Sequence, residues 1–124
     1  MSDPLSLAQQ PTHLDLVHAP ERVGGEESLR EMLPMLMEML ERDGPVIDAL
    51  LAQGDTQAAG KLLHSLKGCM PIFCHEPVCN AVAALEMSAK SATGDGVDSV
   101  RAGYAALRPQ LQQLQREISA YMAA

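Results

Sequence analysis

Eight residues near the C-terminus, Val97, Val100, Tyr104, Leu107, Leu111, Leu114, Ile118 and Tyr121, recur at an unbroken 3-4-3-4 spacing. A helix of about 3.6 residues per turn lays such positions along one seam, and a seam that long is covered by other helices. The spacing predicts a helix over 97–122, with Pro109 on its opposite, wet face. Composition agrees. Hydrophobic residues make up 47% of the chain but aromatics only 2%, and Ala, Leu, Met, Gln and Glu favour helix where strands favour aromatic and β-branched residues, which argues against an all-β fold. At 124 residues the chain has room for one domain with one core.

The partner helices are legible upstream. Residues 14–23 hold one short helix, broken or begun at Pro20, and Gly24-Gly25 stops it. A long helix then carries Leu29, Leu33, Leu36, Met37 and Leu40 inward, with Glu26 and Glu27 in its first turn. Pro34 falls on its polar side with Glu31, Glu38 and Glu41, which predicts a kink. Asp43-Gly44-Pro45 predicts a second interruption, beyond which Val46, Ile47, Leu50 and Leu51 resume the pattern. Asp55 suits the N-cap of a helix over 56–73. Pro77 suits the first turn of another over 77–92, with Val78, Ala81, Val82, Leu85 and Ala89 inward. The expected fold is all-α: an antiparallel up-and-down four-helix bundle with a short N-terminal helix, occupying 14–124 behind a flexible tail of 1–13. Met32, Met35, Met37 and Met39 widen the apolar arc of the long helix and are expected beneath 14–23; a dimer surface is the alternative, with a monomer expected.

Charge excludes some functions. A net charge of -7 argues against a general nucleic-acid binder. The acids are concentrated early: residues 15–55 hold ten acids and three bases, and 56–124 five acids and six bases. No run approaches the ~20 apolar residues of a membrane span. The start, MSDPLSLAQQPTHLDLVH, lacks the basic and apolar regions of a secretory signal. Three cysteines make a poor disulfide framework. A cytoplasmic, reduced protein is expected.

The chemistry gathers around His64. On a wheel of about 100° per residue, Ala59, Leu62, Leu63, Leu66, Cys69, Met70 and Phe73 share one face, centred about 200° from His64. The imidazole therefore points away from the core. Gly60 and Gly68 stand four residues before and after it, and Lys61 and Lys67 flank it. A mid-helix glycine costs about 1 kcal/mol relative to alanine, so two of them beside an exposed histidine imply a surface kept bare for a macromolecule to approach. Imidazole titrates near neutrality, can attack phosphorus and can carry a phosphoryl group, whose charge a nearby lysine offsets. The chain has neither GxxxxGK[ST] nor GxGxxG, so a phosphoryl donor must bring its own nucleotide or metal machinery.

His64-Ser65-Leu66-Lys67-Gly68 resembles the H-x-L-K-G core of histidine-containing phosphotransfer (HPt) domains. Leu14-Asp15 followed by Gly24-Gly25-Glu26, and Gly54-Asp55 ahead of the histidine helix, are similar to the family's surroundings, so the resemblance covers about 14–122. It implies a four-helix bundle relaying phosphoryl groups between receiver-domain aspartates in two-component signalling. It implies His64 as the phosphorylated residue, Lys67 as the stabiliser of the phosphoryl group, and Gly68 as room for the docking receiver. Gly60, Lys61 and Pro71 join that docking face. The chain would be a carrier without kinase activity, holding no cofactor, with Mg²⁺ on the receiver. It departs from the family pattern at Pro71, where a small residue is usual, and at Cys74, near a usual glycine.

Two other functions compete. Cys69, Cys74, His75 and Cys79 form a C-x4-C-H-x3-C cluster that suggests a metal- or redox-sensing bundle, although its spacing is not a usual zinc pattern. A module that docks a receiver without being phosphorylated is the other, and the presence of both His64 and Lys67 speaks against it.

Overall fold

The computed structural model describes residues 10–124. Residues 1–9 of the expected tail lie outside the described residues. The helices are α1 (Ala19–Val23), α2 (Glu26–Ala52), α3 (Thr56–Cys69), α4 (Glu76–Ser91) and α5 (Gly96–Ala123), with one 3₁₀ turn, Met70–Ile72, after α3. Helix α2 packs on α3 and α5, and α4 packs on the same two, so the four long helices close into a ring. This is the expected antiparallel bundle with its short N-terminal helix.

The α5 seam is buried from Val100 through Tyr104, Leu107, Leu111 and Leu114 to Ile118. It meets Leu29, Leu33, Leu36, Leu40, Ile47 and Leu51 of α2, and Val78, Val82, Leu85 and Ala89 of α4. Met32, Met37 and Met39 are half-buried against this core, whereas Met35 is exposed.

The interruption expected at Asp43-Gly44-Pro45 is absent: α2 runs unbroken through both Pro34 and Pro45. Both prolines are exposed, so the carbonyls that lose a backbone partner lie on the wet side, and the apolar seam opposite holds the turns together. Tyr104 Oη also donates to the Gly44 carbonyl at 3.0 Å, tying α5 to that turn.

Helix α3 begins as expected, with the Asp55 carboxylate accepting from the Ala58 N–H at 3.1 Å. It ends at Cys69 rather than at residue 73. Pro71 has no N–H to continue the ladder, and the chain tightens so that the Phe73 and Cys74 N–H groups both reach the Met70 carbonyl, at 2.9 and 2.8 Å. Phe73 still ends fully buried.

The tail boundary at 13 also moves. The buried Glu117 carboxylate of α5 accepts the backbone N–H groups of Thr12, His13 and Leu14, each at 2.9 Å, and Gln113 Nε2 at 3.1 Å. The strap so held runs on to pair with the α3–α4 turn: Asp15 N–H donates to Phe73 O at 2.8 Å, and His75 N–H to His13 O at 2.7 Å. Burial raises the Glu117 carboxyl, but the Leu14 N–H, Gln113 and the other two N–H groups outweigh it and hold the group below its ordinary value. Glu117→Ala strands three backbone donors, and a loss of about 1–3 kcal/mol is expected. Thermal melting measures it, and faster amide exchange at residues 12–14 locates it.

Candidate functional site

Helix α3 lies between α2 and α4, so its outer face is the part that neither neighbour covers. The His64 side chain is 61% exposed there. Lys67, one turn on, is half-buried, and Lys61, Gly68 and Pro71 are exposed. A Cβ built on Gly68 meets nothing within 4 Å.

Gly60 does not belong to this face. It is buried, and a Cβ on it would stand 3.4 Å from Lys90 Cγ and 3.5 Å from Ala89 Cβ. The wheel places it within about 40° of His64, but α4 crosses α3 on that flank, so the missing side chain serves close helix packing rather than an open surface.

The residue that sequence reasoning missed is Glu86 of α4. Its side chain is only 4% exposed. One oxygen, Oε2, lies 2.8 Å from His64 Nδ1 and 2.5 Å from Lys90 Nζ, and the other, Oε1, lies 2.8 Å from Lys67 Nζ. One carboxylate thus gathers the histidine and two lysines. The Lys67 and Lys90 hydrogen bonds, with that of His64, outweigh burial and pull the Glu86 carboxyl down to about 2. Ionised, it can only accept, so Nδ1 carries the proton that it donates to Glu86. In the neutral ring this tautomer leaves the lone pair on Nε2. The i, i+4 pair Glu86 and Lys90 was the one available sequence signal.

A carboxyl lowered by folding contributes stability above its ordinary value and loses it as pH falls toward the lowered one. The Glu86 contribution is therefore present above about pH 4.5 and disappears between there and about pH 2. Melting temperatures followed across that window should fall less steeply for Glu86→Gln than for the wild type.

The cysteine cluster is not drawn together as a metal site. The His75 ring turns toward Asp15, its Nδ1 3.7 Å from Oδ2, and Cys74 and Cys79 are buried while Cys69 is half-buried at the end of α3. Among the described residues no three His, Cys, Asp or Glu side chains are grouped to hold a metal ion.

The outer face of α3 thus presents an exposed imidazole beside Lys67, with Lys90 of α4 on the same carboxylate. Residues 31–120 match the family described as the Hpt domain, and the chain belongs to that family. No curated protein and no solved structure matches it. Hpt domains are histidine phosphotransfer carriers in phosphorelay signalling rather than kinases, and they work with receiver domains. Among the described residues no helix is long and apolar enough to cross a membrane.

Proposed function

We propose that this chain carries a phosphoryl group on His64 Nε2, taking it from the aspartyl phosphate of one receiver domain and giving it to the aspartate of another. The observation that carries this is the 2.8 Å contact between Glu86 and Nδ1 of a ring that is otherwise largely exposed. In the forward step Nε2 attacks phosphorus, the N–P bond forms, the acyl P–O bond breaks, and the receiver's aspartate leaves as a carboxylate. The Nδ1 proton stays with the ring, and Glu86 offsets the positive charge that develops there. Lys67 and Lys90, already drawn toward Glu86, then turn toward the phosphoryl oxygens. Gly68, Lys61 and Pro71 form the face on which the receiver docks. Mg²⁺ belongs to the receiver, and this chain holds no cofactor of its own.

The test is transfer from a ³²P-labelled receiver to the purified chain. The expected product is acid-labile and base-stable, and fragmentation places it on His64. Label on His13, His18 or His75 instead would assign the site elsewhere.

A further inference from the structure

The methionines that the carrier role leaves unexplained lie along one flank of α2. Tyr104 reaches the Gly44 carbonyl and Arg108 the Asp48 carboxylate, so α5 covers the side of α2 on which Gly44 and Asp48 stand. On a wheel of about 100° per residue the opposite flank, which borders α3, carries Met32, Met35, Met39, Val46 and Leu50 within an arc of about 60°. Arg42 and Asp43, paired at 2.9 Å, are the charged residues beside them. Residues 14–23, expected to cover this strip, leave Met35 51% exposed, and Val46 is 44% exposed; they are two of the four large apolar side chains exposed among the described residues. The strip is continuous with the face around His64. Helices α2 and α3 run antiparallel from the turn at 53–55, so at about 1.5 Å per residue Val46 stands at about the height of His64 and Met39 at that of Gly68. Helix α4 holds the other side of the imidazole, through Glu86 and the close approach at Gly60. Toward α2 the wheel leaves only Gly68, Lys61 and Ser65 in between, all exposed.

Building on the carrier role of His64, we propose that this strip of α2 is the apolar half of the surface on which receiver domains dock. A domain that delivers a phosphoryl group cannot seat itself on one imidazole. A specific interface covers roughly 800 Å² on each partner, with an apolar centre and a polar rim. The α4 side of His64 is charged, with Lys67, Lys90 and Glu86, and the α2 side supplies the apolar surface. Methionine also suits a face that must fit two partners in turn, the receiver that gives the group and the one that takes it. Its unbranched thioether repacks against surfaces of different shape, where a β-branched or aromatic side chain would favour one of them.

Single-turnover transfer is followed at increasing concentrations of the phosphorylated receiver that labels the wild type. In Met35→Glu and in Val46→Glu the receiver concentration giving half the maximal rate is expected to rise about tenfold, while the rate at saturation and the melting temperature hold. Met35→Leu and Val46→Ile keep the wild-type value, as does Ala102→Glu on the exposed side of α5. A second readout needs no transfer: His64→Gln is expected to compete with the wild type for the receiver, and the double variant His64→Gln, Met35→Glu to compete about tenfold less well. Transfer to the wild type with an unchanged half-saturation in both glutamate variants overturns the inference and leaves the carrier role standing. No transfer to the wild type from any receiver of the source organism removes both. A wild-type chain that sediments as a dimer, which Met35→Glu splits, would assign the strip to a second copy instead.

Discussion

In the His64→Gln chain, a phosphorylated receiver is expected to leave no label behind, while the fold melts as the wild type does. The loss is complete because the reacting atom is gone: a glutamine amide nitrogen has no lone pair free to attack phosphorus. The fold is spared for a separate reason. The imidazole is 61% exposed and contributes one hydrogen bond, to Glu86, which Lys67 and Lys90 continue to hold. A glutamine amide can donate to the same carboxylate. His18 and His75 are not expected to substitute: their Nδ1 atoms face Asp15, at 2.9 and 3.7 Å, and neither shares its carboxylate with a lysine as His64 shares Glu86. Transfer assays and melting curves on the same preparation separate the two effects. Label retained at the wild-type level would remove His64 from the proposal.

Gly68→Gln is expected to fold at least as well as the wild type and to transfer about 100-fold more slowly. A Cβ at Gly68 meets nothing within 4 Å, and the residue is exposed, so the new side chain displaces no core. Replacing a helical glycine gains up to about 1 kcal/mol from propensity alone, which sets the melting temperature level or higher. The same side chain then stands one turn from the imidazole, where a docking receiver must bring its aspartyl phosphate to bonding distance. A misplacement of about 1 Å there costs on the order of 100-fold in rate. Gly60 is the internal contrast. A side chain longer than alanine there meets Lys90 and Ala89 of α4, so Gly60→Gln should lower the melting temperature as well as the transfer rate. If Gly68→Gln transferred at the wild-type rate, the open face around His64 would have no part in docking.

These residues also show what a single strand of text carries. The α5 seam, the Asp55 cap and the outward position of His64 follow from spacing within one helix, and spacing is written in the sequence. The continuity of α2 through Pro45 is not legible, because local propensity weighs a proline the same wherever it falls, whereas its cost depends on whether the freed carbonyl meets water. Phe73 is apolar and in register with α3, so spacing extends the helix to it; the 3₁₀ turn buries it without continuing the helix. Gly60 and Glu86 were beyond reach for one shared reason. Both answer to the crossing of α3 and α4, and a wheel drawn on either helix alone does not include the other. Thr12 and His13 looked like tail because their partner, Glu117, lies more than 100 residues away.

The two lysines on one buried carboxylate set the sign of the surface that a partner meets. With His64 neutral, Lys67, Lys90 and Glu86 together leave one net positive charge on a face of an otherwise acidic chain. A phosphoryl group brings about two negative charges, so the same patch becomes net negative once loaded. Under the proposed role the empty carrier is attractive to a receiver bearing an aspartyl phosphate, and the loaded carrier repels it. Under that role the loaded carrier suits instead an unphosphorylated receiver, and the exchange of one preference for the other needs no conformational change in the bundle: occupancy is displayed as polarity.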